Sequence, residues 1–305
     1  MVVLIVEQER REPIEIDVGS DVWAMTFSTN GKHLVSGGRG GVQVWRVEDG
    51  KRTATMETND IVYCLAVSKD GRWIAAGTGL GEVLVWDSAT HEQVFKLKED
   101  IEDVNGVDFS PDSCRLVSAS DNKTASIWDI ATRERVQTLH HNGEVLAARY
   151  SPQGDRLATA TRNSVYIYDT SDGGLIVDIK LTVPPYLNTS VVWFNNHLLV
   201  LSDSKIVQVE VSTGSLVAVV GEWPVPDTQN SSCIALPKHG KFIAYSTNDT
   251  VSFWNTATHT QLGHIQHPQY IWSIAVSPDD QLIAIGGRDG KIIIESLSRF
   301  NVSTM

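Results

Sequence analysis

Three histidines close together in the sequence raise the question of a metal site. His259, His264 and His267 fall in one short stretch, and imidazole is the commonest metal ligand in proteins. The stretch connects two strand-like segments, however, and gives the three side chains no fixed geometry. We therefore predict no metal site here.

A glycine-rich segment, GTGLG at residues 77–81, superficially resembles a phosphate-binding loop. Such loops depend on the N-terminus of a following helix, whereas the flanking sequence here has the pattern of strands. We interpret the segment as a hairpin turn. The sequence has no G-x-S-x-G, HExxH or paired-cysteine motif, so we predict no catalytic residue and no cofactor.

The composition narrows the class of partner and the compartment. The formal net charge of −12 argues against nucleic acid as a partner, because phosphate binding needs Lys and Arg to displace counterions.

Cys64, Cys114 and Cys233 are far apart and are interpreted as free thiols in a reducing compartment. The apolar run at residues 2–6 is too short for a secretory signal or a membrane span. We expect a protein of the cytoplasm or nucleus that binds no membrane.

One stretch, residues 104–139, shows how the chain is built. Its sequence is VNGVDFSPDSCRLVSASDNKTASIWDIATRERVQTL, in which apolar runs alternate with turn clusters such as SPDS and SDNK. Pro111 presets φ for a turn, and Asp112 can hydrogen-bond its own backbone. The pattern predicts a small antiparallel meander, which is unstable unless other sheets cover both faces.

Six related copies of this unit occur along the chain. Each continues from a first apolar run through two more strand-like runs, and the starts of the copies are 40 to 44 residues apart. That period is typical of a four-stranded propeller blade. Counting the unit at Val104, the seven copies start near Val22, Val62, Val104, Val145, Thr189, Ser231 and Ile271.

A tryptophan–acid pair recurs at the end of the third strand of several copies. It is intact at Trp86-Asp87 and Trp128-Asp129, and it is altered at Trp45-Arg46, Tyr168-Asp169 and Trp254-Asn255. On these residues the chain resembles the WD-repeat family over nearly its whole length, with degenerate repeats. The resemblance implies an all-β, seven-bladed β-propeller of four-stranded antiparallel blades, and we expect one domain over residues 1–305.

The last copy ends after three strands, and residues 13–18 (PIEIDV) supply an alternating segment before the first copy. We predict that this segment completes blade seven and closes the ring, which removes two exposed sheet edges. Residues 2–6 would then form a hairpin with it. The resemblance also implies a His–Ser/Thr–Asp–Trp network in each blade, but only His141 and His267 fill the histidine position. Apolar packing between blades should therefore supply most of the stability.

The candidate site is a surface. By resemblance to propellers that bind partners there, the second residue of each first strand lies near the mouth of the central channel. Trp23, Tyr63 and Trp272 occupy this position in blades one, two and seven, and large aromatic residues are typical of binding hot spots. An alternative is that Trp23 and Trp272 pack between blades.

Two arginines and an acidic sector are expected on the same face. Arg39 and Arg288 fall in the second hairpins of blades one and seven and suggest a partner with an acidic or carboxylate group. The opposite sector is acidic, which would orient a docking partner. Its residues are Glu57, Asp60, Glu99, Asp100, Glu102 and Asp103.

Two proline-containing connections provide a second candidate surface. They carry Tyr186, between blades four and five, and Trp223, between blades five and six. Prolines stiffen a loop and lower the entropy lost on binding, so both aromatic residues are expected to form one wall of a partner site. The alternative is that these loops only cap blades five and six.

These observations favour a non-catalytic scaffold that binds a peptide or partner domain on its loop face. Two alternatives remain at this point. One is a sensor or regulatory propeller similar to those of NACHT-type signalling proteins. The other is an enzyme that uses the central channel as a pocket, which predicts carboxylates or histidines at the channel mouth. Oligomeric state is not indicated by the sequence.

Overall fold

A computed structural model of the chain describes residues 12–98, 102–180, 191–202, 205–211, 217–224 and 233–300. They form seven sheets of four antiparallel strands, and this seven-bladed propeller confirms the predicted fold. The first strand, β1 (Ile14–Asp17), belongs to the last blade. The proposed hairpin of residues 2–6 lies outside the described residues.

The first three blades follow one another without a long break. Their strands are β2 (Val22–Phe27), β3 (His33–Gly38), β4 (Gly41–Arg46) and β5 (Arg52–Met56) in blade one; β6 (Val62–Val67), β7 (Trp73–Thr78), β8 (Glu82–Asp87) and β9 (Gln93–Lys98) in blade two; and β10 (Val104–Phe109), β11 (Arg115–Ser120), β12 (Thr124–Asp129) and β13 (Arg135–His140) in blade three.

The remaining blades repeat the same order. Their strands are β14 (Val145–Tyr150), β15 (Arg156–Thr161), β16 (Ser164–Asp169) and β17 (Leu175–Lys180) in blade four; β18 (Val191–Phe194), β19 (His197–Ser202), β20 (Lys205–Val211) and β21 (Val217–Pro224) in blade five; β22 (Ile234–Ala235), β23 (Phe242–Thr247), β24 (Thr250–Asn255) and β25 (Gln261–Gln266) in blade six; and β26 (Ile271–Val276), β27 (Leu282–Gly287) and β28 (Lys291–Ser296), with β1, in blade seven. A 3-10 helix, Leu297–Phe300, follows β28.

The ring closes through β1, as predicted. β1 pairs antiparallel with β28, with Ile14 opposite Ile294 and Ile16 opposite Ile292. Ile16 is only 3% exposed and joins a cluster of apolar side chains from blades seven and one. The first strand therefore covers the edge of blade seven and seals the junction between the two ends of the ring.

The turn between first and second strands shows why the repeated SPDS-type clusters form tight hairpins. In blade three, the Ser110 hydroxyl donates to Asp112 Oδ1 (2.5 Å) and accepts from the Arg115 N–H (2.9 Å). Asp112 Oδ1 also accepts from the Cys114 N–H at 2.9 Å. The same serine bond recurs at Ser68 and Ser277. Side chains thus satisfy backbone donors at the end of the blade that lies away from the channel mouth.

The core lies between the blades. Seven clusters of buried apolar side chains each join two neighbouring blades, and the seventh joins blade seven to blade one. Trp128 of blade three, for example, packs with Phe95 and Val85 of blade two. Burial of this kind is worth about 25 cal/mol per Å², so contacts between blades hold the ring together.

Hydrogen bonding within the blades is partial. In blade four, His141 Nε2 lies 2.8 Å from Thr159 Oγ1 and 3.1 Å from the Tyr168 hydroxyl. In blade seven, His267 is 1% exposed, and its Nε2 finds no partner among the described residues. Ile285 and Glu295 occupy the positions that Thr159 and Tyr168 hold in blade four, which explains the missing bond.

Candidate functional site

A β-bulge in the first strand places the residues at the channel mouth. In blades one, two and seven the register shifts between Val22 and Ala24, between Val62 and Cys64, and between Ile271 and Ser273. The skipped residues are Trp23, Tyr63 and Trp272. A bulge re-aims the side chain of the extra residue, so these three aromatics leave the alternation of their strands.

The three aromatic side chains form one cluster. The ring centroids of Trp23 and Trp272 are 3.9 Å apart, and those of Trp23 and Tyr63 are 5.3 Å apart in an edge-to-face arrangement. All three residues are half-buried, and the Trp23 Nε1–H has no acceptor among the described residues. They pack on one another across blades and are still partly exposed. Trp23 and Trp272 therefore show features of both alternatives, exposure at the channel mouth and packing between blades.

The two arginines lie in exposed hairpin turns of neighbouring blades. Arg39 follows β3, and its side chain is 61% exposed, with Nε 3.7 Å from Asp21 Oδ2. Arg288 follows β27, is exposed, and donates its backbone N–H to the Tyr270 carbonyl at 2.9 Å. An exposed ion pair at this distance is worth little, so both guanidinium groups are available to an anionic group.

Tyr63 connects the aromatic cluster to the acidic sector. Burial, together with the charges of Asp103 and Asp60, raises the pKa of Tyr63. Burial also raises the pKa of the Asp103 carboxyl, and the charges of Asp121 and Asp60 raise it further. Glu99 and Asp100 of the predicted acidic sector lie outside the described residues.

Two further apolar residues at the mouth were not predicted from the sequence. Tyr270, directly before β26, is 40% exposed, and Leu80, in the hairpin between β7 and β8, is 50% exposed. The Leu80 hairpin lies close to Tyr63, because a Cβ added to Gly79 would be 3.2 Å from the Tyr63 ring. Leu80 could have been found from the sequence, because it occupies the same position in the second hairpin of blade two as Arg39 does in blade one.

The expectation that Trp223 lies in an exposed connecting loop is wrong. Trp223 lies in β21, the outer strand of blade five, and is 0% exposed. Its Nε1–H donates to the Asn255 carbonyl (3.4 Å) and its ring packs on His259, both in blade six. The strand simply extends further than the prolines suggested, and its tryptophan fills the gap between two blades. Tyr186 lies outside the described residues.

The glycine-rich segment considered as a phosphate-binding loop is part of a hairpin. The segment 77–81 spans the end of β7 and the turn before β8, with Gly81 at φ 73°, as a hairpin requires. Within the described ranges, no three His, Cys, Asp or Glu side chains converge as a metal site would require. No helix in the described part of the chain has the length and apolarity to span a membrane.

A ring of seven four-stranded blades, two of whose third strands end in an intact Trp-Asp pair, is a WD-repeat β-propeller. Residues 21–296 match the family model described as the IFT122 first beta-propeller. The chain belongs to that family.

Several curated proteins are similar to the chain. The intraflagellar transport protein 122 homolog of Xenopus tropicalis is 23% identical over 292 residues, which are 90% of this chain and 23% of the relative. Periodic tryptophan protein 2 of Arabidopsis thaliana is 30% identical over 165 residues, 52% of this chain and 18% of the relative. The U3 small nucleolar RNA-associated protein 15 homolog of Xenopus laevis is 22% identical over 242 residues, 77% and 46% respectively. The chain spans less than half the length of each.

Proposed function

We propose that this chain is a non-catalytic interaction module that binds a peptide or partner domain at the mouth of the propeller channel. The observation that carries the proposal is the aromatic cluster of Trp23, Tyr63 and Trp272. Half-buried aromatic side chains in mutual contact offer rigid apolar area at low entropic cost, which is the usual composition of a hot spot.

The charges beside the cluster specify the partner further. Arg39 and Arg288 are both exposed, and a guanidinium group binds a carboxylate with two parallel hydrogen bonds. We therefore expect the partner to place an acidic side chain or a terminal carboxylate between blades seven and one. A nucleic-acid partner is disfavoured by the net charge of −12.

The relatives support a role in a protein assembly inside the cell, in the cytoplasm or nucleus. Their names refer to intraflagellar transport and to association with a small nucleolar RNA. The chain covers 23% of the first of these relatives and 46% of the second.

Affinity capture from an extract of the source cells tests the proposal. The wild-type chain is compared with the variants Trp23→Ala/Trp272→Ala and Arg39→Glu/Arg288→Glu, each checked for an intact melting transition. Lys69→Glu/Lys238→Glu serves as a control, since both lysines are exposed in turns on the opposite face. A partner held by the wild type and the control and lost by both mouth variants supports the proposal. A partner retained by both mouth variants contradicts it.

A further inference from the structure

The channel mouth has a second charged side, directly beside the aromatic cluster. Asp60 and Asp103 flank Tyr63, and Asp121 follows in blade three. Asn105, the bulged residue of that blade, donates its Nδ2–H to Asp121 Oδ1 at 2.5 Å and to the Val145 carbonyl at 3.3 Å. Asn105 thus holds the Asp121 carboxylate, and the Asp121 N–H donates to the Asp103 carbonyl at 3.0 Å, so that both acidic residues lie together at the mouth.

Among the described residues, these carboxylates are in no ion pair. In the described ranges, no Lys or Arg side chain forms an ion pair with Asp60, Asp103 or Asp121; the nearby arginines, Arg39 and Arg162, pair instead with Asp21 and Glu144. Burial and the charge of Glu144 raise the pKa of Asp121, while the hydrogen bond from Asn105 and the charge of Arg162 oppose the shift. Carboxylates that are partly removed from water and repel one another are stabilised when a cation approaches.

Charge and apolar surface meet at Tyr63. Its ring touches Trp23, and the charges of Asp103 and Asp60 act on its hydroxyl. A basic side chain lying over Tyr63 would contact an aromatic face and two carboxylates together, and both contacts favour a cation.

We infer that the partner segment carries a lysine or arginine next to its apolar anchor, and that this basic group binds the carboxylates of Asp60, Asp103 and Asp121. This inference rests on the proposed function, because the same aromatic cluster holds the anchor. Tyr63 and Trp23 are in contact, and an extended chain advances about 3.3 Å per residue, so the basic residue lies within about three residues of the anchor.

The two charged sides also fix the direction of the segment. Arg39 and Arg288 lie in blades one and seven, and the three carboxylates lie in the loops of blades two and three. A segment with an acidic group on one side of its anchor and a basic group on the other has one favourable orientation. The reversed orientation would place like charges together.

Selection from a phage-displayed library of random linear peptides on the full chain tests the inference. Selections use the wild type, Asp60→Asn/Asp103→Asn, Trp23→Ala/Trp272→Ala, and the control Glu92→Gln/Glu134→Gln, which removes two exposed carboxylates from turns on the other face. We expect peptides with an apolar anchor and a nearby Lys or Arg from the wild type and the control. A synthetic peptide of this kind should bind the Asp60→Asn/Asp103→Asn variant roughly tenfold more weakly, while its Lys→Met counterpart should not distinguish the two proteins.

The outcomes separate the two proposals. Peptides that share an apolar anchor, depend on Trp23 and Trp272, and show no enrichment of Lys or Arg would overturn the inference and leave the proposed function standing. Basic peptides that bind the asparagine variant as tightly as the wild type would also overturn it. A wild-type selection that enriches nothing, or peptides insensitive to Trp23→Ala/Trp272→Ala, would overturn the proposed function itself.

Discussion

Trp23 lies against Trp272 with the two ring centroids 3.9 Å apart, although the two residues come from the first and last blades of the ring. The contact exists only because blade seven packs on blade one, and that junction is completed by β1. The candidate binding surface therefore forms only when the ring is closed.

Ile16→Ala should destabilise the whole propeller. Ile16 is buried in the cluster that joins blades seven and one, and an Ile→Ala change in a core costs about 2–5 kcal/mol. Chemical denaturation measures the loss. Glu15→Ala, one residue away and exposed on the same strand, is the control and should change the free energy of unfolding by less than about 0.5 kcal/mol. Equal stability of the two variants would show that β1 does not hold the ring closed.

Trp223→Ala should lower stability without altering partner binding in the fraction that stays folded. The side chain is fully buried between blades five and six, and truncating a buried Trp costs about 3–5 kcal/mol. Val219→Ala, on the same strand but 60% exposed, should have little effect on the melting temperature. An unchanged melting temperature for Trp223→Ala, with loss of a partner, would restore Trp223 as a binding residue.

Asp108→Asn should make the protein more sensitive to acid. Burial raises the pKa of Asp108 from 3.8 to about 6, although Arg149 and a hydrogen bond from the Tyr150 N–H oppose the shift. A carboxyl with a raised folded-state pKa adds stability below its unfolded pKa and loses it as the pH rises through 6. The free energy of unfolding of the variant, relative to wild type, should thus fall between pH 7 and pH 4. The change is at most about 3 kcal/mol, since one pKa unit is worth about 1.4 kcal/mol. A constant difference across this range would contradict the assignment.

His141 should affect the pH dependence of stability in the opposite direction to Asp108, because it destabilises the folded state as the pH falls. Burial lowers its pKa from 6.5 to about 4, so the unfolded chain takes up a proton first as the pH falls, and the folded state loses stability between pH 6.5 and pH 4. His141→Gln should flatten this part of the pH profile. His140→Gln, at the exposed neighbouring position, should keep it. If both variants retain the wild-type slope, His141 is not the titrating group.

The repeat pattern was sufficient to predict the architecture. The apolar runs at Val22, Val62, Val104, Val145 and Ile271 became first strands beginning at those residues, because each is bounded by turn residues whose side chains satisfy the backbone locally. Closure by β1 followed from counting strands in the last copy. These are consequences of short-range chemistry repeated seven times.

The sequence could not supply the local details of the candidate site. A bulge depends on pairing with a second strand, so the reorientation of Trp23, Tyr63 and Trp272 became visible only in the register. Trp223 was misplaced because the length of β21 is decided by packing against blade six, whereas its prolines indicated a loop. The exposure of Tyr270 and Leu80 depends on neighbouring blades, which a single strand pattern does not contain.

Closure of the ring between its two ends makes binding and folding thermodynamically linked. A ligand that spans Trp272 and Trp23 binds only when blades seven and one are joined, so by mass action it opposes their separation. At a ligand concentration one hundred times its dissociation constant, the added stability is about 2.7 kcal/mol, comparable to the loss of one core side chain at the same seam. A partner bound at the channel mouth would therefore hold the ring closed, and its occupancy would be measurable as a rise in the melting temperature.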